Sequence, residues 1–321
     1  MSFHNCLIYK GNIADYHTEN KPRGDAGFVV SSSMLRLFAQ CPARWREGYV
    51  SPESEAKRFG SLLDCCLLTP ESFQARFAVK PATYKDAKTG GQKPWNGNSN
   101  ACKEWLAAHA KMEIVSSAEV NEVDAAIERI KSDPILAAFL SDSTSQVWLT
   151  GEWHDEKTGL DIPIKALLDI VPRAGTEFEK SLADLKCVRS GALQPFTRQV
   201  YQLGWHIQAA FYRDFYAATT GEDRPNWCFI GVENYPPFQP FRRLLSEKYL
   251  EIGKLTYQNV LSLYARCLKA GNWPGYDDHA DACQGWTLCE PDAWMEYNAL
   301  SFQLEQQFVS ELSEETNDIP S

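Results

Sequence analysis

Nowhere in the 321 residues is there an apolar run long enough to cross a bilayer, and from Gly271 to Ser321 there is not one Lys or Arg. The first absence excludes a helical membrane protein. The opening from Met1 to Gly11 also lacks the charged-then-apolar pattern of a secretory leader, so the expected location is the cytoplasm, with no membrane partner. The second absence concentrates charge: those last residues carry eleven acids, so a net charge of −10 for the chain becomes +1 over residues 1–270. A neutral body leaves room for a local basic groove, and net charge therefore neither supports nor excludes a nucleic-acid substrate.

Motifs are missing as well. There is no C-x-x-C pair among the ten cysteines, and Cys267, Cys283 and Cys289 are too irregularly spaced for zinc or an iron–sulfur cluster, so reduced thiols are expected. No G-x-x-x-x-G-K-[ST], H-E-x-x-H or G-x-S-x-G occurs, which argues against an ATPase motor, a zincin and an α/β-hydrolase. The six histidines are scattered, and one such as His206 reads as structural.

What is there is 44% hydrophobic and long enough to bury a full core. Residues 1–30 show no periodicity and read as an arm. Ser31-Ser32-Ser33 offers an N-cap for a helix carrying Leu35, Leu37 and Phe38 and ending near Cys41-Pro42. A second helix is expected from about Ser54 to Leu68, closed by Thr69-Pro70. The Lys-, Gly- and Asn-rich stretch 80–100 reads as a mobile loop, followed by helices at about 101–110, 117–131 and 134–140. Strands are expected at Val147 to Trp153, at Ile162 to Val171 and in a run ending at Cys187, as an antiparallel meander. One long helix from Pro195 to Ala218 comes next, then strands at 227–233 and 241–245 and a helix at 247–269. The fold class is therefore α/β (α+β): a mixed central sheet with an antiparallel meander, flanked by helices.

Within Ala183-Asp184-Leu185-Lys186, strand alternation puts Asp184 and Lys186 on one face and turns Leu185 inward. A carboxylate beside an ammonium suits metal-assisted hydrolysis: the acid holds a hard cation, and the amine orients water or offsets charge on a phosphate. Alone, that spacing is also what a solvated surface pair looks like. Asp169, inside the apolar strand Leu167-Leu168-Asp169-Ile170-Val171, needs a cation or strong donors if it is buried, or else caps a turn. Asp64, amid Leu62-Leu63-Asp64-Cys65-Cys66-Leu67, is anomalous for the same reason and reads as a third oxygen ligand or a solvent-facing stray. Tyr201, Trp205, Gln208 and Tyr212 fall at helical spacing on one face, where Gln208 and Tyr212 could hold a phosphate or a base edge, and core packing is the competing reading. Ser31, Ser33, Arg36, Arg44, Arg46, Lys57 and Arg58 gather hydroxyls and cations about a helix N-terminus, as an anion site or as capping with surface charge.

Taken in order, these motifs resemble the exonuclease VIII family, the RecE-type phage recombination nucleases of the PD-(D/E)xK superfamily, related to RecB-type nucleases and lambda exonuclease. The resemblance runs from Tyr16-His17 and Ser31-Ser32-Ser33-Met34-Leu35 through Phe59-Gly60-Ser61-Leu62-Leu63-Asp64, Leu67-Leu68-Thr69-Pro70-Glu71-Ser72-Phe73, Lys157-Thr158-Gly159-Leu160, Asp169, Asp184-Leu185-Lys186 and Trp205-His206-Ile207-Gln208-Ala209-Ala210-Phe211-Tyr212. It closes on Trp273-Pro274 and Pro291-Asp292-Ala293-Trp294.

The resemblance implies a restriction-endonuclease-like core over residues 31–303, with an N-terminal arm at 1–30 and an acidic tail at 304–321. It implies catalytic roles for Asp169, Asp184, Lys186, Gln208 and Tyr212, and metal ligation by Asp64, Asp169, Asp184 and the Leu185 backbone carbonyl. Contacts to DNA would come from Ser31, Ser33, Arg36 and Gln208. The implied cofactor is Mg²⁺, with Mn²⁺ as substitute, and the implied substrate is double-stranded DNA ends degraded 5′ to 3′ in recombination. A single-strand annealing protein is the implied partner, and the protein is expected to be a homo-oligomer. Three positions depart from the family pattern: Asp64 stands where a histidine is usual, Leu168 where a proline is, and Cys187 where a threonine is. Two rival readings stay open, a RecB-type endonuclease or single-strand nuclease and a non-catalytic DNA-end-binding recombination scaffold.

Overall fold

A computed structural model describes residues 2–11, 15–16, 18, 21–277 and 289–290. The proposed acidic tail, the Pro291-Asp292-Ala293-Trp294 motif, His17 and Cys283 lie outside the described residues. The chain divides into a unit Met1–Trp273, which holds every helix and strand named below, and a second unit Pro274–Ser321.

In chain order, strand β1 (Ser2–Ile8) precedes helices α1 (Ser32–Gln40), α2 (Pro42–Arg46) and α3 (Glu55–Leu68). A 3₁₀ turn and the short α4 (Phe73–Arg76) lead into β2 (Phe77–Lys80), β3 (Thr83–Lys85), β4 (Gln92–Pro94), α5 (Asn100–Ala108), β5 (Glu113–Ser116), α6 (Ser117–Ser132) and α7 (Pro134–Ser141). The meander follows as β6 (Ser143–Asp155), β7 (Leu160–Pro172) and β8 (Ser181–Val188). Helices α8 (Leu193–Gln202) and α9 (Trp205–Thr220), strands β9 (Asn226–Glu233) and β10 (Pro240–Leu244), and α10 (Glu247–Ala270) complete the unit.

Six strands form the central sheet in the order β1-β6-β7-β8-β9-β10. All neighbours are antiparallel except β8 and β9, which run parallel. One core gathers Leu35, Phe38, Phe211, Phe215, Tyr257 and Leu261 from α1, α9 and α10 against strand residues such as Leu149 and Ile164. A second joins Leu62, Leu63, Ile127 and Ile130 from α3 and α6 to Ile170, Ala183, Leu185 and Ile230. A mixed sheet carrying helices on two sides is the architecture that the alternation of apolar periods called for.

Local chemistry explains the boundaries. Ser54 accepts the Lys57 N–H at 3.3 Å to start α3. Ser116 and Glu119 form a reciprocal capping box at the head of α6, and Asp133 caps α7 ahead of Pro134. Asp155 receives the Thr158 N–H at 2.9 Å and Gly159 takes a φ of 72°, which turns β6 into β7.

Three expectations are corrected. Residues 2–8 are no arm: they pair with β6 as the sheet's edge strand, with a register shift between His4 and Leu7 that hides their periodicity. The stretch 80–100 holds an antiparallel hairpin, because the Asp86 carboxylate gathers the Lys88 and Thr89 N–H groups and the Lys93 ammonium around its turn. The single helix from Pro195 is two, α8 and α9, broken at Gly204 with a left-handed φ of 65°. A side chain at Gly204 would also run into Arg36, its Cβ standing 2.7 Å from Cδ. Tyr201 is thereby left in α8, exposed, and shares no face with Trp205, Gln208 and Tyr212.

Where α10 crosses α9, a Cβ at Gly253 would stand 2.1 Å from the His206 carbonyl oxygen, which is backbone and cannot step aside. Gly253→Ala is expected to destabilise the fold by about 2 kcal/mol or more through overpacking, read as a fall in denaturation midpoint. An unchanged midpoint would mean the helices are free to part.

Candidate active site

The register of β7 against β8 makes the site. Ile170 lies across from Ala183, so one step along the antiparallel pair Asp169 lies across from Asp184. On the other side of β7, Ser145 pairs with Ile170 and Val147 with Leu168, while the intervening Gln146 takes a φ of 55° and stands out of the ladder. Asp169 therefore sits at a break in pairing on both flanks. Its Oδ2 accepts the Leu185 N–H at 3.0 Å, so a carboxylate takes the place of a ladder acceptor there.

Asp184 is buried at 1% exposure. Its Oδ1 receives the Gln208 amide from α9 at 2.6 Å. Its Oδ2 is ion-paired with the Lys186 ammonium. The Lys186 Nζ stands 5.1 Å from the centre of the Trp205 ring, which supports the amine from its other side.

Asp64 comes from α3. Its Oδ1 accepts the Gln146 amide at 3.2 Å, and the Arg76 guanidinium lies 3.9 Å from its Oδ2. Burial pushes the Asp64 carboxyl up to about 6, with Arg76 opposing and Asp184 adding to the rise. Asp169 is raised well above the ordinary range by burial and then by the charges of Asp184 and Asp64, with Lys186 and the Leu185 N–H pulling the other way. The three acids thus feel one another, although their oxygens are more widely spread than 4.8 Å: among the described residues, the one trio of possible ligands within that limit lies elsewhere.

Gln146 and Arg76 did not figure among the sequence candidates. Neither sits in a spacing pattern, and only folding brings β6 and α4 to Asp64. The other expected residues divide. Ser33, Arg36, Lys57, Asp64 and Trp205 line a cleft of about 990 Å³ that also reaches Leu185. Arg36 donates to the Leu203 carbonyl at the α8–α9 junction, and burial lowers its affinity for the proton. Ser31 is buried and its hydroxyl meets that of Ser33 at 3.0 Å. Tyr212 is buried too: its hydroxyl accepts from Ser32 at 3.1 Å, and burial raises its titration. Arg44, Arg46 and Arg58 are engaged elsewhere, over Tyr49, near Trp273, and with Glu113 and Glu119.

Three side-chain carboxylates, with the proton affinities of Asp169 and Asp64 raised by burial and by the neighbouring acids, are a donor set that fits a hard divalent cation such as Mg²⁺ or Mn²⁺. Asp169 and Asp184 on adjacent strands and Asp64 on the facing helix are the residues that could hold it.

A family model described as a PDDEXK-like domain of unknown function (DUF3799) matches residues 31–285. No curated protein matches the sequence. Among solved structures, a protein from Eubacterium rectale described provisionally as an exonuclease superposes with a TM-score of 0.54 at 18% identity, covering 91% of this chain and 99% of that one. An alkaline exonuclease from Laribacter hongkongensis gives 0.26 at 12% identity over 54% of this chain and 84% of that one, too low to carry an argument.

Proposed function

The chain belongs to the PDDEXK-like family DUF3799, and from that premise we propose that it is a divalent-metal-dependent exodeoxyribonuclease acting on duplex ends. The observation that carries this reading is the convergence of two acids from adjacent strands, Asp169 next to the Ile170–Ala183 pair and the buried Asp184 ion-paired with Lys186 two residues on, with Asp184 and Asp64 both raising the proton affinity of Asp169.

On this reading Asp169, Asp184 and Asp64 hold the cation, with the Leu185 carbonyl as a further oxygen. A bound Mg²⁺ supplies Lewis acidity to the scissile phosphate and lowers the proton affinity of a water. Lys186, beside Asp184 and against the Trp205 ring, would face the phosphate and offset the negative charge that grows there. Gln208 fixes the rotamer of Asp184 through its amide, and Trp205 confines the ammonium. Arg36, Ser33 and Lys57 in the cleft meet the DNA backbone. Ser31, with its hydroxyl on Ser33, and Tyr212, with its hydroxyl on Ser32, act behind that surface by holding α1 in place. The RecE-type resemblance extends the proposal to 5′ to 3′ polarity, a ring-like homo-oligomer and hand-over of the single strand to an annealing protein.

Linear end-labelled duplex and covalently closed circular duplex, incubated with the protein in Mg²⁺ or Mn²⁺, separate the readings. The linear DNA is expected to disappear from its ends while the circle survives. A nicked or linearised circle would replace the exonuclease by an endonuclease, and no loss of either substrate would leave a DNA-end-binding scaffold.

A further inference from the structure

At the other end of β7 a second cluster has no part in the acidic centre. His154 on β6 pairs across the strands with Asp161 on β7, and His4 on β1 pairs with Glu152 on β6. Because Glu152 and His154 are two apart, strand alternation puts all four side chains on one face. Asp161 Oδ1 lies 2.7 Å from His154 Nδ1 and 3.0 Å from His4 Nε2. The three donor atoms all fall within 4.8 Å of one another, a separation that ligands about 2 Å from a shared ion occupy.

The surroundings of His4 argue for more than two imidazoles sharing an acid. Its second nitrogen, Nδ1, stands 3.5 Å from Glu152 Oε2, and that oxygen is itself held by the Asn5 amide at 2.5 Å. In the ion-free structure Nε2 meets Asp161; once an ion replaced that hydrogen bond, a carboxylate beside Nδ1 would accept its N–H and leave the Nε2 lone pair to the ion, the arrangement metal-binding histidines use.

We propose that His4, His154 and Asp161 form a second metal site for a divalent transition ion of the zinc class, with Glu152 as the positioning residue for His4. Two imidazole nitrogens and one carboxylate select zinc, nickel or copper over magnesium, whereas the carboxylates around Asp184 select the hard ions. Eight residues of β7 separate Asp161 from Asp169, a distance of roughly 26 Å at about 3.3 Å per residue, so the two centres do not share an ion. The site draws ligands from β1, β6 and β7, and so ties the edge strand, which enters the sheet with a shifted register, to its neighbours. With His4 and His154 half-buried and Asp161 exposed, three protein ligands leave a coordination position open to water or to a ligand from outside.

Zinc binding to the full-length, chelator-stripped protein in excess Mg²⁺ tests the site, with bound zinc counted by elemental analysis after dialysis. Wild type is expected to retain one zinc equivalent more than His4→Ala, and Asp184→Asn is expected to match wild type. Asp161→Asn, which keeps the side chain's shape and so guards against a folding effect of His4→Ala, is expected to lose the same equivalent. Glu152→Gln is expected to weaken zinc about tenfold without removing a ligand. Zinc is also expected to slow amide exchange in β1 of wild type and not of His4→Ala. Equal zinc content in wild type, His4→Ala and Asp161→Asn would overturn the proposal, as would loss of the equivalent in Asp184→Asn alone.

Discussion

Lys186→Ala is expected to lower hydrolysis of linear duplex DNA in saturating Mg²⁺ by about a thousandfold, with little change in DNA binding. The magnitude is that of removing a preorganised charge aimed at a developing anion. The Lys186 ammonium meets Asp184 and the Trp205 face, and its side chain is largely buried. The loss should fall on kcat; because the variant leaves the buried Asp184 carboxylate unpaired beside Asp169 and Asp64, it should also melt below wild type in chelator, with part of that difference recovered in Mg²⁺. Asp184→Asn is expected to lose at least as much activity, because it removes a charge proposed to hold the cation while the side-chain oxygen can still meet Gln208. Activity within a few-fold of wild type for both variants would place the reaction somewhere else in the molecule.

Stability should move the opposite way at Asp169. Burial and two neighbouring carboxylates raise this group's proton affinity in the fold, and Asp64 is raised from 3.8 to about 6. A carboxyl with a folded pKa above its unfolded value keeps a proton in the fold that the unfolded chain has already released. Its contribution to stability is whole below about pH 4 and falls as the pH rises toward 6 for Asp64, with Asp169 extending the loss upward. In chelator, then, the protein should gain from this cluster on acidification from neutral pH to about 5. Asp169→Asn, which keeps an acceptor for the Leu185 N–H and removes the charge, is expected to melt several degrees above wild type in chelator while losing its nuclease activity. Mg²⁺ should raise the midpoint of wild type by binding the folded state, and raise that of Asp169→Asn much less. If Asp169→Asn melts below wild type in chelator, the acids are not the strained cluster described above, and the cation assignment fails with them.

Much of this architecture was readable along the chain because its causes are local. The helices expected at about 117–131, 134–140 and 247–269 begin beside Ser116, Asp133 and Ser246, whose side chains accept backbone N–H groups of the first turn, as Ser54 does for the helix expected from 54. Failures came where a local rule had a non-local answer. Nothing in Trp205 to Tyr212 reveals that Gly204 will adopt φ 65° beside Arg36, a contact made across more than 160 residues of chain. Strand β1 was missed because its shifted register breaks alternation, so only β6 shows that it is a strand.

By itself the sequence determined the order of the main helices and of the strands from β6 onward, the one-face placement of Asp184 and Lys186, and the oddity of acids at positions 64 and 169, since alternation and burial preference act within a few residues of each position. The tertiary structure decided which partners those acids meet. Sheet register set Asp169 opposite Asp184, α9 brought Gln208, α4 and β6 brought Arg76 and Gln146 to Asp64, and the edge strand carried His4 to His154 and Asp161. Contacts between residues far apart in the chain are fixed by packing two cores at once around one sheet, and no window of sequence contains that condition.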